Sequence, residues 1–302
     1  MILLISFNFF NPAGVNSGPG ISIWGLCSIL ERAGIEYKVF SHVYSMDRKV
    51  KSIKDITDDD IKRAKHIIYW SGLISDMYKV LDRIQKYKNF IVGPNLLDGV
   101  EKEKEAVFLK RFNPLKIMCT NTMIKYKILS THNLNEEKIH TFMSPPDLSL
   151  WKKTDKEDFI LWKGNPNHFV KNYNLAKDIV FNLKNERVLV CLNYNYLKHI
   201  ELASKASLFF STSMSETISM NLLEQWSCGT PAVITPGHFL RGDNYGCSII
   251  AEGNTDDFVK KIREVFHNKV LLRHMSDYSY EWMQQNFSDK VVLDNFYRIL
   301  EC

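Results

Sequence analysis

The stretch ASLFFSTSMSETISMNLLEQWSCGTPAV, residues 206–233, reads as an apolar strand, a hydroxyl-rich loop, a helix, a tight turn and a second strand. That succession predicts two strands of a parallel sheet joined by a crossover helix. Glu216 and Glu224 stand in its middle at E-x7-E spacing. Eight helical residues advance about 12 Å and slightly more than two turns, which puts two such carboxylates on nearly one face. The helix is expected to begin at Glu216, with Ser213 and Ser215 as capping residues and Thr217 adding a hydroxyl in the first turn. Backbone N–H groups at a helix start, where a parallel strand ends, form an anion site suited to a diphosphate. Two glutamates at this spacing also suit a solvated helix face, so the flanking sequence decides between the readings.

The same rhythm continues on both sides. Upstream, FILWKGNPNHFVKNYNLAKDIV (159–180) gives a strand, a loop and a helix, RVLVCL (187–192) a buried strand, and LKHIELASKA (197–206) a helix. Tyr194 and Tyr196 fall in the loop between the last two, where a nucleotide base would find a stacking face. Downstream, TPAVIT (230–235) is a strand, a loop around Gly237, Asp243 and Gly246 follows, and CSIIAEG leads to a helix from about Thr255 to His267.

The first half has the same alternation. Met1 to Phe10 is a continuous apolar run, the mark of a central parallel strand covered on both faces. It opens into NPAGVNSGPGIS, where Gly14, Gly18 and Gly20 precede a helix from about Ile21 to Ala33, capped by Gly34. This glycine-rich turn lacks G-x-G-x-x-G spacing, so it carries no dinucleotide fingerprint. Strands at Glu36–Ser41, 66–72 and 89–95 and a helix from Asp76 to Tyr87 follow. Asp58, Asp59 and Asp60 read as a solvated helix start, since no histidine or second acidic cluster accompanies them. Glu101 to Phe112 is an amphipathic helix. From Ala106 to Leu129, Lys110, Arg111, Lys116, Lys125 and Lys127 occur without one acid. Alternating strands and helices predict parallel sheets with helices on both faces and a site at the strands' C-terminal ends.

The chain has 302 residues, 45% of them hydrophobic, enough for two domains with their own cores. No apolar run reaches the length of a membrane span, and MILLISFNFF is too short for one and lacks a cationic start. Six cysteines without C-x-x-C pairs argue against a zinc site and fit reduced thiols in the cytoplasm. The net charge of +5 resides in residues 1–150, with 21 basic against 16 acidic side chains, while the second half is balanced at 18 and 18. The surplus is either ordinary solvated surface or the footprint of an acidic acceptor.

Residues 206–233 with their flanks resemble the donor-binding signature of family 4 glycosyltransferases of the GT-B fold. In that family S-x-x-E opens a helix and E-A-x-A-x-G-x-P-V closes it. The segment KIHTFMSPPDLSLWKK (138–153) is similar to K-I-x-V-I-P-N-G-V-D, which ends the first GT-B domain, and places the boundary at Pro145-Pro146-Asp147. Gly164 and Lys171-Asn172 match the G-R and K-G or K-N pair that binds the diphosphate. Asn165 stands where the family has arginine, and Lys163 could supply the missing charge. The tail 278–300 resembles the helix pair that crosses back onto the first domain. The resemblance covers most of residues 116–300, and the first hundred more weakly. It implies two Rossmann-like parallel-sheet domains facing across a cleft: an acceptor domain at 1–149, a nucleotide-sugar domain at 150–285 and a crossing helix at 286–302.

The resemblance further implies a retaining transferase in which Glu216 lies by the transferred sugar and Glu224 accepts the ribose hydroxyls. Lys163 and Lys171 would steady the leaving diphosphate. Asp98 joins Glu216, Lys171 and Lys163 as a catalytic candidate, because Gly93-Pro94-Asn95 stands where the family often has its acceptor-side histidine. Gly164, Asn165, Ser215, Thr217, Ile218, Tyr194, Gly18 and Gly20 are the further donor-binding candidates, and Asn95, Lys110, Arg111 and Lys116 face the acceptor. Ser219 replaces the usual glycine three residues after the first glutamate and narrows the room for the sugar. No metal or other cofactor is expected besides a nucleotide sugar, a UDP-sugar foremost. The acceptor is expected to be acidic: a lipid-linked or anionic glycan, with peripheral membrane contact through Val107 and Phe108, or DNA, as for phage glucosyltransferases, with the host cytoplasm as compartment. A nucleotide-sugar-binding protein without catalysis is the third reading.

Overall fold

The computed structural model describes residues 1–302 except 8, 10–17, 44–49, 71–72, 95–96, 98–100, 193–194, 217–218, 239–244 and 302. The chain divides into two compact units, one built from the residues up to Asp147 together with those from Val292 onward, the other from Leu148–Val291.

The first unit contains β1 (Ile2–Ser6), α1 (Gly18–Arg32), β2 (Tyr37–Ser41), β3 (Val50–Ser52), α2 (Asp58–Arg63), β4 (His66–Tyr69), α3 (Tyr78–Gln85), β5 (Ile91–Val92), α4 (Lys102–Phe112), β6 (Lys116–Cys119), α5 (Thr122–His132) and β7 (Ile139–Thr141). Its strands pair in parallel in the order β3-β2-β1-β4-β5-β6-β7. β1 is buried along its whole length, as its continuous apolar run requires. Helix α1 lies so close to the end of the unit that a Cβ on Gly25 would stand 2.3 Å from the Pro145 carbonyl oxygen. Arg32 Nη1 closes that contact on Asp147 Oδ1 at 2.9 Å.

Gly18 and Gly20, expected in the loop before α1, belong to its first turn, and Gly14 lies outside the described residues. Helix α2 begins on a capping box: Asp60 N–H donates to Thr57 Oγ1 at 3.1 Å, and Thr57 N–H donates to Asp60 Oδ2 at 3.0 Å. Asp60 is buried rather than solvated and receives Lys38 Nζ at 2.6 Å. Burial works to raise its carboxyl, and the bonds from Lys38 and Thr57 outweigh it, holding the group at about 2. A carboxyl lowered in the folded state stabilises fully above its unfolded value near 4 and loses that contribution as pH falls towards 2. The stability difference between the parent chain and Asp60→Asn is therefore expected to shrink by about 2 kcal/mol between pH 7 and pH 2. Urea denaturation at both pH values reads it, and a pH-independent difference would refute it.

The basic stretch 106–129 is acid-free in sequence only. Arg111 pairs with Asp82 of α3 and Lys125 with Glu136, acids on either side of the stretch. Lys116 is 8% exposed, and its ammonium donates to the Ile299 carbonyl at 2.5 Å, which removes it from the acceptor-facing cations. Lys110 is exposed and Lys127 half-buried. Phe108 belongs to the buried core beside Phe112, so of the two expected membrane-facing residues only Val107 is on the surface.

The second unit contains β8 (Glu157–Lys163), α6 (Tyr173–Asn182), β9 (Val188–Cys191), α7 (Tyr196–Lys205), β10 (Ala206–Ser211), α8 (Met220–Ser227), β11 (Ala232–Ile234), β12 (Ser248–Ile250), α9 (Thr255–His267) and α10 (Lys269–Phe287). Its strands pair in parallel in the order β12-β11-β10-β8-β9. The succession reverses between β10 and β8, the point at which open parallel sheets leave a crevice for ligands. Helix α11 (Asp289–Glu301) starts in this unit and continues, from Val292, as part of the first. Among the described residues no helix is long and apolar enough to cross a membrane.

Candidate active site

The expected helix start at Glu216 does not occur. Helix α8 begins at Met220 with Ser219 as its N-cap, and the Ser219 side chain makes no capping bond. Glu216 instead forms a parallel bridge with His238, its N–H donating to the Gly237 carbonyl at 3.0 Å. Ser213 and Ser215 are consequently not helix caps. Buried Ser213 gives its carbonyl to Thr235 Oγ1 across the sheet end. Local spacing favours a helix through Glu216, but pairing with the chain leaving β11 gives its backbone another partner and holds the glutamate in an isolated bridge. The close approach requires glycine: a Cβ on Gly237 would lie 2.0 Å from the Met214 carbonyl oxygen. Gly237→Ala is expected to cost about 1–3 kcal/mol by overpacking, read by thermal and urea denaturation.

Lys171 stands opposite Glu216. Phe169–Lys171 form one 3-10 turn, closed by Asn172 in the left-handed conformation at φ 46°. Thr212 Oγ1 donates to the Lys171 carbonyl at 2.7 Å, and Met214 N–H donates to the Val170 carbonyl at 2.8 Å. These bonds tie the turn to the segment leaving β10, and the Lys171 ammonium is ion-paired with Glu216. The two side chains are 23% and 16% exposed, within reach of a ligand. Behind them His238 accepts or donates at Nε2 to Ser211 Oγ at 2.9 Å, and burial lowers it to about 4, which keeps its ring neutral at pH 7.

Lys163 ends β8 and is 21% exposed, whereas Glu224 of α8 is 0% exposed. Lys163 Nζ lies 2.7 Å from His199 Nδ1 and donates to Glu224 Oε2 at 3.4 Å; Tyr196 O–H donates to Glu224 Oε1 at 2.8 Å. Burial raises the Glu224 carboxyl, opposed by Lys163 and Tyr196. The same burial lowers Lys163, opposed by the Glu224 charge. Glu224 thus has the environment of an internal counter-ion and presents no surface to ribose hydroxyls. Tyr196, expected in a loop as a stacking face, is the first residue of α7 and buried against Trp151 at a ring separation of 5.6 Å. Gly164 follows Lys163 on a backbone packed against Trp162, so close that a Cβ would meet its ring at 2.6 Å. Asn165 Oδ1 accepts from Asn167 N–H at 3.0 Å and shapes the turn towards Lys171. Ser215 is exposed beside half-buried Glu216. Asn95, Asp98, Tyr194, Thr217 and Ile218 lie outside the described residues.

His199 and Gln225 complete the buried set, and neither was marked by a motif. The legible signal was weaker: Tyr196, His199 and Ala203 recur at helical spacing on the buried face of α7, which puts a histidine among core positions. Among the described residues no group of three or more metal-ligating side chains occurs.

Two parallel α/β units, with cations at the C-terminal ends of the second sheet, define the GT-B architecture, and the class is that of a glycosyltransferase. Residues 170–282 match the family described as Glycosyl transferases group 1. Sucrose-phosphate synthase from Thermosynechococcus elongatus superposes with a TM-score of 0.78 over 99% of this chain and 98% of its own, at 12% identity. A glycosyltransferase from Rickettsia africae gives 0.71 over 99% and 97%, at 12% identity. An alpha-glucosyltransferase in complex with UDP and a 13-mer DNA containing an HMU base gives 0.69 over 100% of both chains, at 14% identity. The search of curated proteins found no match.

Proposed function

We propose that the chain moves a sugar from a nucleotide-sugar donor, a UDP-sugar foremost, to an acceptor hydroxyl of a glycan or glycolipid, with retention of anomeric configuration. The observation that carries this reading is the Lys171–Glu216 pair, fixed where β10 ends and adjoining Lys163, whose ammonium is close enough to feel the Lys171 charge. As the glycosidic bond to the diphosphate breaks, negative charge gathers on the departing oxygen while the sugar becomes cationic at its anomeric carbon. Lys163 and Lys171 supply fixed positive charge to the first. The N–H groups opening α8, uncapped by the Ser219 side chain, add a second positive pole. Glu216 supplies negative charge to the second and acceptors to the sugar hydroxyls. Retention rests on the family resemblance. Structures of this architecture in complex with UDP, an alpha-glucosyltransferase among them, support the choice of base.

A panel of nucleoside diphosphates and their sugars, read by thermal shift and by release of the diphosphate, tests the reading. Stabilisation by one nucleotide, with slow turnover of its sugar, is expected. No stabilisation and no release would refute it, and stabilisation without release would leave a binding protein.

Transfer to hydroxymethylated duplex DNA is the second reading, raised by the full-length likeness to a transferase bound to DNA. The internal pairing of Arg111 and Lys125 and the burial of Lys116 weigh against it. If it held, affinity for duplex DNA would fall steeply with salt, by a log–log slope of about −0.9 per phosphate contact.

A further inference from the structure

The buried polar set behind Lys163 contains a histidine that the proposed chemistry leaves without a task. His199 and Gln225 are fully buried, and Trp151 covers the imidazole at a ring separation of 5.4 Å. Lys163 Nζ meets His199 Nδ1 at 2.7 Å, and His199 Nε2 meets the Gln225 amide at 3.1 Å. An ammonium has donors and no lone pair, so Nδ1 accepts from Lys163 and the ring proton resides on Nε2. That proton needs an acceptor, and the Gln225 amide, whose Oε1 stands buried without a partner, supplies one when the amide is turned about its axis. Glu224 Oε2 takes a second ammonium proton at 3.4 Å, and the Tyr196 hydroxyl on Oε1 fixes that carboxylate in turn.

Two of the three ammonium protons are therefore committed to groups with no exposed surface. The third is left for the partly exposed side of Lys163. We infer that His199 is a positioning residue: held by Gln225 in its Nε2–H tautomer, it aims the remaining N–H of Lys163 at the diphosphate of the donor. This rests on the proposed donor chemistry. A lysine has four rotatable side-chain bonds and does not hold a direction alone; two fixed acceptors give it one. The arrangement also lets Lys163 supply the charge of the arginine that Asn165 replaces, because the short ammonium is directed from behind by a neutral ring and a carboxylate.

The test compares His199→Leu and His199→Asn with the parent chain, using nucleoside diphosphates (UDP, GDP, ADP) and the corresponding nucleosides in calorimetric titration. Asparagine places a side-chain oxygen near the position of Nδ1, whereas leucine fills the space without an acceptor. Far-UV circular dichroism confirms that each variant is folded, and the asparagine variant carries the test if leucine is not accommodated. His199→Leu is expected to weaken the diphosphate by about tenfold or more, the effect of one charge-assisted hydrogen bond, with nucleoside affinity unchanged. His199→Asn is expected to restore most of the diphosphate affinity. Equal losses on diphosphate and nucleoside, or an unchanged diphosphate affinity in the leucine variant, would overturn the positioning role while leaving the donor chemistry in place. Should only the asparagine variant fold, a loss on its diphosphate matching a loss on its nucleoside overturns the role equally. Failure of the parent chain to bind any of the diphosphates would instead overturn the proposed function, and this inference with it.

Discussion

Exchange of Lys171 for methionine is expected to lower turnover by on the order of 100- to 1000-fold, the usual effect of removing one fixed donor from a site of developing negative charge. The turn that carries Lys171 is held through its own backbone carbonyls, by the Thr212 hydroxyl and the Met214 N–H, so the substitution removes the charge without removing the loop. Glu216 keeps water as a partner, being partly exposed, and stability should change little. Nucleoside affinity should be unaffected, since the charge acts on the diphosphate. Steady-state release of the nucleoside diphosphate reads the effect, and turnover within tenfold of the parent would remove Lys171 from the proposed chemistry.

Exchange of Lys163 for methionine is expected to cost stability as well as activity. Glu224 has no exposed surface, and removal of the ammonium leaves its carboxylate buried with Tyr196 as the hydrogen-bond donor still facing it. Breaking a buried ion pair from one side costs about 3–5 kcal/mol, mostly the penalty of the charge left behind. The sign of the pH dependence follows from the raised carboxyl: protonation neutralises the stranded group, so the deficit should shrink as pH falls from 7. A second substitution, Glu224→Gln, removes the charge while retaining an acceptor for the Tyr196 hydroxyl. The double variant is expected to be more stable than Lys163→Met alone. Urea denaturation of both chains at pH 7 measures it, and equal stability would mean that Glu224 is not charged by its partnership with Lys163.

Glu224 also separates what local sequence can tell from what it cannot. Of the E-x7-E pair, Glu216 lies in the segment between β10 and α8, and Glu224 lies within α8. The continuous helix expected from Glu216 does not form, because Glu216 pairs with the chain at His238 and α8 starts four residues later. Lys163 and Lys171 were legible as cations of one loop, while the partners that direct them, His199 and Gln225 behind one and Glu216 before the other, come from different crossovers.

The alternation of strands and helices and the parallel sheets were legible from the sequence, because each is set by residues close together in the chain. Hydrophobic runs, glycine and proline positions and the E-x7-E flanks are local signals of local structure. Tertiary structure alone decided which charges are available to a ligand. It took Lys116 inside to the Ile299 carbonyl, paired Arg111 with Asp82 and Lys125 with Glu136, buried Phe108, and enclosed Glu224 with a lysine, a tyrosine and a histidine. The physical reason is that a charge's surroundings are made by residues remote in sequence, and burial, which sets both its exposure and its proton affinity, exists only once the sheets have packed.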